Sequence, residues 1–212
     1  MTATMLEASG LTVRRMGRTV FRDIHLALAP GSLLQVVGPN GAGKTSLLRV
    51  LCSLLEPAAG RLAWRGRTVR AGDAEYLSNL AYVGHTNGID ADLSAIDNLR
   101  FAARMAGVQP DTQSLGQALG RLGLDAVASV PLRTLSQGQR RRVSLARLAL
   151  APRALWLLDE PLTSLDHGSA ERFTALLDGH LDRGGMAVIA THQLLPATGG
   201  VLDLGTPGAQ PS

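Results

Sequence analysis

The 212-residue sequence predicts an α/β domain with an antiparallel β subdomain and a helical insertion, organised around a glycine-rich strand-to-helix loop. Three observations predict it. LLQVV at 33–37 is a short, nearly apolar run that leads into GPNGAGKT and then into a segment with helical spacing. ALWLL at 154–158 and MAVIA at 186–190 have the continuous apolar character of strands buried in a parallel sheet. Between these strand-forming regions, residues 94–150 read as helices.

Taken in order, residues 6–13 (LEASGLTV) and 21–28 (FRDIHLAL) alternate apolar and polar side chains, as half-buried strands do. Pro30 and Gly31 turn the chain into the strand at 33–37, and a helix is expected over 45–55. GRLAWRGRTV at 60–69 reads as a hairpin turning at Arg65 and Gly66. AYV at 81–83 is strand-like and runs into Gly84, with His85 opening the loop that follows. The stretches AIDNLRFAARMAG, SLGQALGRLGL and SQGQRRRVSLARLAL fill a helical subdomain at about 90–150. A single domain is expected over 1–206, with the tail after Thr191 and His192 short and frayed at 207–212.

Composition narrows the function classes. Apolar residues make up 45% of the chain and charged residues 18%, which fits a folded protein and excludes a disordered one. Cys52 is the only cysteine, so there is no disulfide framework or thiol cluster for a metal, in keeping with a reducing cytoplasm. The net charge of +4 comes from scattered arginines, and nucleic acid is not an expected partner. No run approaches the ~20 apolar residues of a membrane span, and MTATMLEASG has no signal-peptide pattern. Any membrane association is therefore expected to come through a partner.

GPNGAGKT at 38–45 fits G-x-x-x-x-G-K-[ST] in the strand–loop–helix context that the motif requires. Its glycines let successive N–H groups face inward as an anion nest, and the helix N-terminus adds partial positive charge. The candidate nucleotide-binding set is Gly38, Pro39, Asn40, Gly41, Ala42, Gly43, Lys44, Thr45 and Ser46. Lys44 would reach the β- and γ-phosphates, and the Thr45 hydroxyl would ligate Mg²⁺. A second acidic site closes ALWLLDEP: the strand holds Asp159 at its C-terminal edge as a Mg²⁺ ligand, and Glu160 can polarise the attacking water as general base.

LSQGQRRRVSLARL at 135–148 resembles the signature sequence of ATP-binding-cassette ATPases, with Ser136, Gly138 and Gln139 in its core. A serine and a glycine at a helix N-terminus form a second anion site. The resemblance implies ATP as the nucleotide and two cassettes dimerised head to tail, each signature helix capping the nucleotide in the other's phosphate loop. A homodimer with two composite sites is expected. Arg140, Arg141 and Arg142 could form a nucleic-acid patch, but a solvated helix face beside the nucleotide is the expected reading. Ser164-Leu165-Asp166 matches the family's loop joining the two active sites, and Asp166 enters the nucleotide-contacting set on that basis. His192, just past the strand at 186–190, matches the histidine that contacts the γ-phosphate and orients the water.

At the junction after 81–83 most cassettes carry a glutamine that senses the Mg²⁺ site and transmits closure to the membrane partner. Here the residue is His85. A neutral imidazole can hold a metal-bound water, whereas protonation would put a cation beside Mg²⁺ and lysine, so His85 is expected to act neutral. Its Gly-His junction, the short cassette, RRVSLARLAL, DEPLTSLD and Thr-His-Gln at 191–193 together resemble the CcmA-type ATPases of bacterial cytochrome c maturation. That resemblance implies CcmB- and CcmC-type membrane subunits, a peripheral place on the cytoplasmic face of the inner membrane, and hydrolysis coupled to haem export or release of a haem-loaded chaperone.

Direct haem ligation by this chain is not expected, since none of the five histidines lies in a haem motif such as C-x-x-C-H. Cassettes often stack an aromatic on adenine near the end of the first strand. Here Arg15 or Met16 holds that place, and GTP is expected to compete with ATP. The competing readings are another short exporter cassette, a soluble repair- or ribosome-type cassette, and a kinase with the same phosphate loop. The second usually carries a coiled-coil insertion or two cassettes in one chain, and the third lacks the signature helix.

Overall fold

The computed structural model describes residues 4–192, 194–195 and 199–205; Gln193 and the tail at 207–212 lie outside the described residues. The chain divides into two compact units, Met1–Tyr82 with Ala154–Glu160 and His180–Ser212, and Val83–Arg153 with Pro161–Gly179. The elements begin with β1 (Leu6–Arg15), β2 (Arg18–Leu28), β3 (Leu33–Val37), α1 (Lys44–Leu51), β4 (Ala59–Trp64) and β5 (Arg67–Thr68). Then come α2 (Ala74–Ser78), β6 (Leu80–Val83), α3 (Ala95–Met105), α4 (Thr112–Gly120) and α5 (Gln137–Ala146). The last are β7 (Leu155–Asp159), α6 (His167–Asp182), β8 (Met186–Ala190) and β9 (Gly200–Asp203).

In the first unit an antiparallel sheet has the order β2-β1-β4-β5, and a second sheet has the order β6-β7-β8-β3-β9. The alternating strands form the antiparallel sheet, with Leu6 opposite Leu28 on one side and Trp64 on the other. The apolar strands form the parallel one: β3 pairs β8 from Leu33–Ala187 to Val36–Ala190, and β7 pairs β8 from Leu155–Met186 to Asp159–Ala190. One buried cluster joins both sheets to α1, including Leu6, Leu11 and Leu26, Val36, Leu157 and Val188, and Leu47 and Leu51. Continuous apolar strands are what a sheet covered on both faces requires.

The second unit is helical. Ser94 caps α3 by accepting from the Asp97 amide at 3.2 Å, and Asp111 caps α4 by accepting from Ser114 at 2.7 Å. α3 and α4 bury Leu99, Ala103, Leu115 and Leu119 on their inner faces.

Three local features differ from the sequence-based expectation. α1 ends at Leu51 rather than Leu55, because Ser53 takes a left-handed φ of 58° and the amides of Leu54 and Leu55 both turn back to the Arg49 carbonyl. Between His192 and the segment 207–212 lies a strand that the sequence did not announce. β9 adds to the edge of β3 in parallel, from Leu34–Gly200 to Val37–Asp203. The long helix α6 had no counterpart in the sequence reading.

α6 carries a buried histidine. His180 is 7% exposed, stacks on Trp156 with ring centroids 3.8 Å apart, and donates from Nε2 to the Met186 carbonyl at 3.1 Å. Burial holds its imidazole below the ordinary histidine value, Arg183 acting in the same direction and the Met186 bond against it. A depressed folded value means that the unfolded chain takes the proton first. The contribution of His180 to stability is thus complete above the unfolded value of about 6.5 and is lost as pH falls from there toward the folded value. Thermal unfolding between pH 7 and 5 should show a smaller drop in Tm for His180→Phe than for the wild type. Equal drops would refute the assignment.

Candidate functional site

The phosphate loop ends at Gly43, whose φ of 104° places it in the left-handed region at the N-cap of α1. A Cβ there would lie 2.6 Å from Val20 Cγ1 and 2.9 Å from Phe21 Cδ1, so glycine is required for space as well as for conformation. No side chain caps α1 and its first turn holds no acidic residue, which leaves the leading amides open to an anion. Lys44 is 8% exposed and its Nζ donates to the carbonyls of Gly38 at 2.7 Å and Pro39 at 3.3 Å. The loop thus wraps an ammonium that phosphate oxygens can recruit.

The acidic residues lie on the same unit. Asp159 ends β7 at 2% exposure, and Thr45 Oγ1 donates to its Oδ2 at 2.9 Å. Glu160 leaves the strand with a left-handed φ of 49°, and its amide continues the ladder to the Ala190 carbonyl at 2.8 Å. Glu160 Oε2 accepts from His192 Nδ1 at 2.7 Å, with the histidine side chain 57% exposed and the glutamate side chain 18% exposed. The carboxylate accepts, so Nδ1 carries the hydrogen and Nε2 faces away from it. The sequence supplied these two residues separately; their direct contact was not foreseen, because it depends on β7 and β8 ending in register.

The remaining candidates lie on the second unit. Ser136 is the N-cap of α5: its Oγ accepts from the Gln139 amide at 3.2 Å while Gln139 Oε1 accepts from the Ser136 amide at 2.9 Å, a capping box. A Cβ on Gly138 would lie 2.5 Å from the Ser164 carbonyl oxygen, so the glycine permits the signature turn and the 164–166 loop to touch. Asp166 caps α6 by accepting from the Ser169 amide at 2.8 Å. The hydroxyl and amide of Ser169 hold its carboxyl below the usual aspartate value. His85 is exposed in the loop after β6. Arg15 pairs in register with Arg18, and Met16 is fully exposed at the turn between them.

Arg140–142 correct the expectation of a solvated face. Arg141 is 4% exposed, Arg140 donates to the Arg133 carbonyl at 2.8 Å, and Arg142 donates to the carbonyls of Leu122 at 2.9 Å and Gly123 at 3.2 Å. The guanidinium groups of Arg140 and Arg142 satisfy carbonyls that the ends of short helices leave open. No group of three or more His, Cys, Asp and Glu side chains among the described residues could hold a metal.

Comparison with known proteins agrees with the geometry. Residues 21–163 match the family model described as ABC transporter. The chain is 65% identical to the cytochrome c biogenesis ATP-binding export protein CcmA 2 of Cupriavidus metallidurans, covering 100% of both chains. It is 59% identical to the corresponding CcmA of Cupriavidus pinatubonensis, covering 98% of this chain and 92% of that one. A solved structure of a putative ABC transporter ATP-binding protein from Pyrococcus furiosus superposes with a TM-score of 0.83 at 26% identity, covering 94% of this chain and 96% of that one. The chain belongs to the ABC transporter family and, within it, to the CcmA cytochrome c biogenesis ATP-binding export proteins.

Proposed function

We infer that this chain is the ATP-hydrolysing subunit of a bacterial inner-membrane complex for cytochrome c maturation, working as two copies beneath CcmB- and CcmC-type subunits on the cytoplasmic face. The cellular role is supported by full-length identity of 65% to a protein so named. The chemistry is carried by one observation: the Glu160–His192 contact directly follows the Asp159–Thr45 pair along β7. Lys44 and the open amides of α1 bind the triphosphate, Glu160 takes the proton of the attacking water, and His192 orients that water.

The residues present fit Mg²⁺. A hydroxyl and a buried carboxylate 2.9 Å apart are hard oxygen donors, and an ion held by only one or two protein ligands leaves room for phosphate oxygens and water. When bound, the ion neutralises charge building on the phosphates.

Partner docking is supported on the second unit. An open groove of about 710 Å³ is lined by Ile89, Asn98, Phe101 and Met105, with Asp90 and Arg147 at its polar side. Phe101 and Met105, one helical turn apart on α3, are 61% and 74% exposed. Among the described residues no helix is long and apolar enough to cross a membrane. The groove offers an apolar strip with one acid and one base to a short amphipathic segment of a membrane subunit. Haem is handled by those subunits and not by side chains of this chain.

Deleting the gene should remove covalently bound c-type haem and spare b-type haem, with recovery on return of the wild-type chain and none with Glu160→Gln. Unchanged c-type haem in the deletion strain would sink this reading.

A further inference from the structure

One side of α5 and the turn after it grips the loop that contains His85. Arg141, 4% exposed, donates from Nη1 to the Gly84 carbonyl at 2.8 Å and to Asn87 Oδ1 at 3.2 Å, and from Nε to the Pro161 carbonyl at 3.4 Å. Ser144, fully buried, donates from Oγ to the Asn87 carbonyl at 2.7 Å. Arg147 donates from Nη1 to the Gly88 carbonyl at 3.1 Å and from Nη2 to Ser144 Oγ at 3.1 Å. Residues three apart rise along one side of a helix. Arg141, Ser144 and Arg147 therefore hold the segment 84–88 in step, each later residue taking a later part of it.

The Arg141 contacts point in different directions. Two go to the loop flanking His85, and one goes to the carbonyl of Pro161, the residue after Glu160. A guanidinium can serve both at once because its donors diverge from a rigid plane. An ammonium on a flexible stem is a point charge without that fork. Burying a cation is costly unless its donors are satisfied, so this arginine is held in one geometry by the same bonds it supplies.

We propose that Arg141 is a positioning residue for ATP hydrolysis, which binds the His85 loop, Pro161 after Glu160 and the signature helix into one body. A displacement of either the loop or the helix is then transmitted to the other. This rests on the reading of the chain as an ATPase served by Glu160 and His85.

Arg141→Lys in the full-length chain tests it through steady-state ATPase kinetics and amide hydrogen exchange. The expected result is a kcat lower by about tenfold or more, with KM for ATP changed less than about twofold, since misplacement rather than lost binding is the defect. Exchange over 84–88 should accelerate about tenfold while Lys44–Leu51 exchanges as in the wild type. Ser144→Ala removes one donor to the same loop with little change in volume, and should shift both readouts in the same direction by less. It decides the question if the lysine variant does not fold. Unchanged exchange over 84–88, or accelerated exchange with an unchanged kcat, overturns the proposal. His85→Ala, which removes the polar group altogether, separates the two readings: full activity there with a slow Arg141→Lys would remove the role given to His85 and leave that of Arg141 standing.

Discussion

Glu160→Gln should retain ATP and stop hydrolysing it, with turnover down by about 10²–10⁴-fold, the contribution a positioned general base makes. The argument is geometric. Glu160 is turned out of β7 by a φ of 49° and anchored by its amide to Ala190, and neither feature involves the carboxylate. A glutamine keeps the length and shape of the side chain, and its amide oxygen can still accept from His192 Nδ1 at the observed 2.7 Å. Only the capacity to take a proton is lost. Lys44, the α1 amides and the Thr45–Asp159 pair are untouched, so affinity for ATP should be the same as in the wild type. With ATP no longer consumed, the closed pair of copies should accumulate, visible as a dimer by light scattering when ATP and Mg²⁺ are added. Phosphate release at the wild-type rate would exclude Glu160 as the base.

Much of the fold could be read where burial dictates sequence directly. β8 is buried throughout and β3 up to Val36, so their limits coincide with the apolar runs at 33–37 and 186–190, and the alternation of β1 and β2 reports a sheet covered on one face. Thr45 and Asp159 were assigned to one cation from motif context, and the structure sets them in contact. Elements whose stability comes from elsewhere were not legible. α6 contains Gly168 and Gly179, opens on the polar run His167-Gly168-Ser169, and sets a histidine, His180, on the buried side with Phe173 and Leu177. β9 is four residues long and begins at Gly200; it is a strand because the edge of β3 is open to it. A run of arginines reads as surface until the carbonyls at Gly84, Leu122 and Pro161 are placed around it. Propensity is local, and these are tertiary facts.

Ser136→Arg should hold ATP as the wild type does and hydrolyse none, because in the proposed head-to-tail pair Ser136 and Lys44 serve different halves of a composite site. Within one chain Ser136 has a local task, the capping box with Gln139, whose loss costs about 1 kcal/mol and leaves the fold standing. An arginine side chain there adds bulk and charge where the second copy's nucleotide would rest. Lys44→Ala is the reciprocal lesion, a chain that binds ATP poorly but keeps an intact signature turn. Each variant alone should be inactive. Mixed in equal amounts, half of the pairs contain one of each, and in those the Ser136→Arg chain's phosphate loop faces the intact signature of the Lys44→Ala chain. One of the two sites then works, so about a quarter of wild-type turnover should return if the sites act independently. Activity should also rise with protein concentration as pairs form. No recovery on mixing, or full hydrolysis by Ser136→Arg alone, would mean that each chain completes its own site, and the head-to-tail pair would have to be abandoned.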